Sequence, residues 1–131
     1  MDKLTFYFDR NIGNKLPQAL TQLRPPFDVR WHDKEKFPHD MPDDEWMAIV
    51  GPKDWVVVGQ DWKFHLIDAE LKAIRQHSMK CVYLPGSGQT RWETYCRFVR
   101  SHKRIIEKCV SEKAPLILDL KLNGHLRKIA I

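Results

Sequence analysis

Carboxylates stand at three places where this chain could do chemistry. Asp9 directly follows the apolar run Leu4-Thr5-Phe6-Tyr7-Phe8, and Asp61 closely follows Trp55-Val56-Val57-Val58-Gly59. Between them, Asp43-Asp44-Glu45 opens a segment that reads as a helix. Both apolar runs are short and rich in aromatic or β-branched residues, the pattern of strands buried on both faces of a parallel sheet. Ligands of open α/β sheets gather outside the carboxyl ends of such strands. If the two strands are neighbours, about 4.8 Å apart, Asp9 and Asp61 emerge side by side and repel unless a cation lies between them. A divalent ion held by a few carboxylates, with positions left for water and phosphate oxygens, is the usual form of an Mg²⁺ site. Within the acidic cluster Asp43 is best turned toward that place, because Trp46 and Val50 define the buried side of its helix. Asp44 and Glu45 rotate away. Helix capping is the competing explanation for each acid taken singly, with Asn11 assisting Asp9.

The elements that must position these acids can be read in order. After Asp9 a helix is expected over about 16–23, with Pro17 in its first turn and Leu16, Ala19, Leu20 and Leu23 facing inward. Arg24-Pro25-Pro26 stops it, and residues 27–32 alternate apolar and polar like a strand near a sheet edge. Residues 33–41 read as a loop, 42–50 as a helix ended by Gly51-Pro52, and 55–59 as a buried strand. A helix over 67–77 follows, with Ile67, Leu71 and Ile74 on one face, then a strand over 80–84. Thr90-Arg91-Trp92-Glu93 has the form of a capping box for a long helix reaching about Lys108. Its apolar face carries Tyr95, Phe98, Val99, His102, Ile105, Ile106 and Cys109, and its opposite side carries Arg97, Arg100, Arg104 and Lys108. The last 16 residues, about 116–131, form a hairpin around Asn123-Gly124, which as a two-residue turn sets Leu118 opposite Ile129 and Leu116 opposite Ile131. Strands alternating with helices predict an α/β fold in three layers, a central mainly parallel sheet flanked by helices, with the C-terminal hairpin added antiparallel. Residues 1–131 are expected to make one domain.

Composition narrows the class. No apolar run is long enough to span a bilayer, and Asp9 interrupts any leader-like pattern at the start. Cys81, Cys96 and Cys109 form no CxxC pair and are expected as small core or half-buried residues of a reducing, cytoplasmic protein. The net charge of +5 is compatible with a polyanionic partner, and the stripe Arg97, Arg100, Arg104, Lys108 suits a phosphate backbone, although a solvated helix face is the favoured explanation of it. Trp62 and Phe64 could stack on a base or pack in the core. His32, His39 and His65 lack metal-ligand spacing and are expected at the surface. Gly86-Ser87-Gly88 has no following Lys and is not a phosphate-binding P-loop. Asp9-Arg10-Asn11 lacks the paired Asp of a phosphoaspartate phosphatase.

The order FYFDRNIGNKLPQAL, HDKEKFPHDMPDDEW, WVVVGQDWKF resembles the PIN-like nucleases, specifically the small PIN-like toxins of bacterial type II toxin–antitoxin modules. Their pattern of Asp-x-Asn after the first strand, an Asp-Glu-Glu-like helix start and a strand ending in Thr-x-Asp is matched here by Asp9 and Asn11, by Asp43 to Glu45, and by Gln60-Asp61. The sequence departs from it where Gly59 replaces a small hydroxyl residue and where Lys63 stands in place of a further acid. The resemblance implies a ribonuclease dependent on Mg²⁺ or Mn²⁺ that hydrolyses RNA phosphodiesters. Asp9, Asp43 and Asp61 would be its catalytic metal ligands, Glu45 or Asp44 would hold a metal-bound water or second ion, and Asn11 would orient Asp9 or contact a phosphate. It also implies an antitoxin protein as partner and leaves a homodimer open. The competing class is a non-catalytic binding module, in which the acids cap helices and the basic helix face holds RNA or a partner protein; a third is a subunit of a complex that docks through the edge of the hairpin.

Overall fold

The computed structural model describes residues 3–60, 64–86 and 88–131. Its centre is a six-stranded sheet of order β2-β1-β3-β4-β5-β6. The strands are β1 (Thr5–Phe8), β2 (Asp28–Trp31), β3 (Val56–Gln60), β4 (Lys80–Leu84), β5 (Leu116–Leu120) and β6 (Leu126–Lys128). All neighbours are parallel except β5 and β6. The helices are α1 (Lys15–Gln22), α2 (Asp43–Val50), α3 (Asp68–Gln76) and α4 (Arg91–Ser111).

Unbroken apolar runs make the central strands because successive residues there face opposite layers. Phe6 and Phe8, Val56 and Val58, and Leu116, Leu118 and Leu120 pack under α1 and α4 with Leu16, Leu20, Phe98 and Ile105. Tyr7, Val57, Cys81, Tyr83 and Ile117 pack under α2 and α3 with Trp46, Met47, Val50 and Ile74. Phe98 anchors the first layer, meeting Phe6, Phe8 and Phe27 edge-on at ring-centroid distances of 5.3, 5.3 and 5.9 Å. The connection through α1 leads outward from β1 to β2, and the one through α2 returns across β1 to β3 on the other face. The sheet therefore has its topological switch between β1 and β3, the place beyond whose strand ends ligands of open α/β sheets gather. Helix α4 covers the opposite face from α3 although both connections step in the same direction, so the β4–α4–β5 crossover has the opposite hand to β3–α3–β4, an uncommon arrangement.

Local signals set several boundaries. Thr90 accepts from the Glu93 N–H at 3.1 Å while Glu93 accepts from the Thr90 N–H, which completes the expected capping box. Three acids fill the first turn of α2, where the helix dipole favours them. Cys81 and Cys109 are buried and Cys96 is half-buried, all as free thiols. Phe64 is wholly buried and belongs to the core.

Other expectations are corrected. Ala19 of α1, Leu23 just after it and Ile67 just before α3 are exposed; the buried residues of these helices are Leu16, Pro17 and Leu20, and Glu70, Ala73 and Ile74. Val99 is also on the exposed side of α4. The hairpin exists, but its register is shifted by one: Leu118 faces Lys128, Asp119 faces Arg127 and Leu120 faces Leu126. Lys121 and His125 close a three-residue loop, with the Lys121 N–H donating to the His125 carbonyl at 2.8 Å. Gly124 takes φ +88°, the left-handed position such a loop requires. A one-residue slip changes which face each side chain meets, and the observed register sets Ile129 beside Ile117 in the α2/α3 layer.

Candidate active site at the β1 and β3 strand ends

Asp9 continues β1 by one residue, its N–H donating to the Val58 carbonyl at 2.9 Å, and so stands at the switch between β1 and β3. Its side chain lies on the α2/α3 face, two residues beyond Tyr7, and only 1% of the residue is exposed. Oδ2 receives a long contact, 3.5 Å, from the Asn11 N–H. Oδ1 is buried without a hydrogen-bond partner among the described residues. Burial, followed by the negative charge of Asp43, raises the Asp9 carboxyl from its ordinary value near 3.8 to about 6. Anionic Asp9 is therefore held at a cost, and a cation would relieve it.

Asp43 opens α2 and is half-buried. Its Oδ1 accepts two bonds, from the indole Nε1 of Trp46 at 2.8 Å and from Nη2 of Arg10 at 2.9 Å. The other terminal nitrogen of Arg10, Nη1, donates to the His39 carbonyl at 2.8 Å. One guanidinium thus ties the end of β1 to the 33–41 loop and to α2. That loop is fixed in turn by His32. His32 is buried rather than at the surface: its Nε2 lies 2.8 Å from the Pro38 carbonyl, which can only accept, so Nδ1 accepts the Tyr7 hydroxyl at 3.1 Å. Burial, with Asp9 adding to it, pushes the Tyr7 phenol up, which keeps the hydroxyl available as that donor.

The predicted residues are brought together unequally. Asp9 and Asp43 share one site, close enough for the second to disturb the first. Asn11 is exposed and reaches Asp9 through its backbone N–H, while Asp44 and Glu45 are exposed on α2. Asp61, Trp62 and Lys63 lie outside the described residues, as does Ser87. On α4, Arg104 donates to the Gly124 carbonyl at 2.6 Å and Arg97 to the Leu122 carbonyl, so these two hold the hairpin loop. Arg100 and Lys108 are exposed. Sequence reasoning missed Arg10 and a further buried acid, Asp119 in β5, whose partner in β4 is Tyr83. Asp119 pairs with Lys121 at 2.8 Å and Arg127 at 3.8 Å. A lone carboxylate inside Leu116-Ile117-Leu118-Asp119-Leu120 was the available signal.

Residues 4–86 match the PIN like domain family. The chain belongs to that family. No curated protein and no solved structure matches it. In this PIN-like domain the matched stretch contains Asp9, Arg10, Asp43 and Asp61, whereas α4 and the hairpin lie beyond it.

PIN-like domains generally use a metal ion, and the donors here can be compared with that. All are carboxylate oxygens, which suit a hard divalent cation, and Oδ1 of Asp9 is an acceptor with no donor among the described residues. Among the described residues no three His, Cys, Asp or Glu side chains come together as a metal site. Asp9 and Asp43 thus fit as two members of a ligand set completed by other oxygens. Among the described residues no helix is long and apolar enough to cross a membrane.

Proposed function

We propose that this PIN-like domain is a divalent-metal-dependent endoribonuclease whose site is Asp9, Asp43 and Asp61. The observation that carries the reading is the buried Oδ1 of Asp9, without a hydrogen-bond partner among the described residues, at the sheet's switch point beside a second acid. The backbone N–H groups of Asn11 and Arg10 and the charge of Arg10 offset only part of the cost of burying this acid beside Asp43, and a bound cation would relieve the rest.

In this reading Asp9 and Asp43 hold Mg²⁺ or Mn²⁺ together with Asp61, with Glu45 or Asp44 reaching in through water. The bound ion would supply Lewis acidity to the scissile phosphate and acidify the attacking water. The chain's own residues do the positioning. Trp46 fixes one oxygen of Asp43, the Asn11 N–H restrains Asp9, and buried Tyr7 and His32 keep the surrounding loop in place. Residues 1–131 act as one domain in this reading, since β5 and β6 extend the same sheet that carries Asp9.

The test is cleavage of single-stranded RNA by the purified chain with Mg²⁺ or Mn²⁺. EDTA is expected to abolish it, and Asp9→Asn or Asp61→Asn to lower the rate by about 100-fold or more, the scale for removing a charge-stabilising group from a reacting centre. Cleavage unchanged by these substitutions would reject the assignment. Support for a toxin role, with a cognate antitoxin as partner, comes from the motif resemblance. Growth arrest on expression, relieved by Asp9→Asn, is the expected result for that role.

A further inference from the structure

We propose that Arg10 is the phosphate-contacting residue of this site, held on Asp43 while no metal is bound and released to the RNA phosphate when the acids take their ion. The inference rests on the nuclease reading and adds to it a substrate contact that also couples metal to RNA.

Asp43 Oδ1 accepts two hydrogen bonds. An oxygen of a carboxylate has two lone pairs, and here Trp46 and Arg10 take both. The two donors differ in freedom. Trp46 is fully buried, wedged between Tyr7 and Phe64 at ring-centroid distances of 5.1 and 5.7 Å, and cannot leave. Arg10 keeps 23% of its side chain exposed, and its other hold is a single backbone carbonyl, that of His39. The carboxylate is therefore pinned by the indole and lent to the guanidinium.

The charge balance points the same way. Arg10 makes its ion pair with the half-buried acid and only adds a favourable charge near the fully buried Asp9, whose Oδ1 has no hydrogen-bond partner among the described residues. A guanidinium serving only to neutralise buried charge would be expected on Asp9. On Asp43 it occupies a coordination position and is the cation a divalent ion must compete with. Once a doubly charged ion sits between the acids, attraction to Asp43 is offset by repulsion from the ion, and Arg10 is free at the mouth of the site. A planar guanidinium there matches two phosphate oxygens at once.

The experiment is calorimetry on the native chain, Arg10→Gln and Arg10→Lys, each verified folded by urea unfolding. The probes are Mn²⁺ alone, then uridine 5′-monophosphate at saturating Mn²⁺, a nucleotide with no diester to cut. Arg10→Gln is expected to bind Mn²⁺ about tenfold more tightly, between the effects of exposed and buried ion pairs. It is expected to bind the nucleotide about tenfold more weakly, and Arg10→Lys to recover part of that loss. Unchanged affinities in Arg10→Gln would overturn the proposal, as would weaker Mn²⁺ binding, which would make Arg10 an organiser of the acids. If neither the native chain nor the variants take Mn²⁺, the nuclease reading falls and this proposal with it. Should Arg10→Gln fail to fold, Arg10→Lys carries the comparison: a single ammonium replaces the two terminal nitrogens that hold Asp43 and the His39 carbonyl, so it should grip Asp43 less firmly and also bind Mn²⁺ more tightly.

Discussion

Replacing Asp9 by Asn should make the metal-free protein more stable while disabling it. The Asp9 carboxyl rises from 3.8 to about 6 on folding. A difference of about two pH units, at about 1.4 kcal/mol each, gives about 3 kcal/mol. Its sign follows from the folded state binding the proton more tightly than the unfolded chain. The favourable contribution is complete below pH 3.8 and is lost as pH rises through about 6. At pH 8 the native protein carries the full cost of a buried anion. Asn is nearly the same shape, keeps an acceptor for the Asn11 N–H, and can turn its amide N–H toward Asp43. Urea unfolding in EDTA at pH 8 should therefore find Asp9→Asn more stable by about 2–3 kcal/mol, with the gap closing as the pH falls toward 4. Equal or lower stability of the variant at pH 8, with unchanged denaturant dependence, would refute the claim that the charge of buried Asp9 is only partly compensated.

Two further substitutions test the frame around the site. Phe98→Ala removes the ring on which Phe6, Phe8 and Phe27 converge and should cost about 3–5 kcal/mol in urea unfolding. Gly51→Ala should cost about 1–3 kcal/mol and lower the thermal midpoint, because a Cβ there would lie 2.6 Å from the Cβ of His77.

Much of the architecture is legible in residue order because each signal is local. Phe6-Tyr7-Phe8 and Val56-Val57-Val58 state by their lack of alternation that both faces are covered, and Thr90 with Glu93 states where α4 begins. The acid positions inherit that legibility: Asp9 is at a strand end because the apolar run stops there. What was not legible depends on partners distant in sequence. Arg10 meets Asp43 and His39 across a loop that no spacing rule predicts. His32 looks like a polar edge residue and is buried because Tyr7 and the Pro38 carbonyl receive it. The stripe on α4 reads as four equivalent cations, yet Arg97 and Arg104 hold loop carbonyls of the hairpin. Ala19, Leu23 and Ile67 have the right helical spacing for burial, but periodicity gives a face without saying how far the sheet extends beneath it. The hairpin register turned on whether Asn123-Gly124 is a two-residue turn or the end of a three-residue loop. Lys121 pairing with His125 fixes the longer one.

The most direct test of the account is Mn²⁺ binding measured by calorimetry in the absence of RNA. The native chain is compared with an Asp9→Asn, Asp61→Asn double variant of verified fold. The account predicts saturable binding to the native protein and none to the variant. Equal binding to both, or binding to neither at millimolar ion, would contradict a metal site built on the β1 and β3 strand ends.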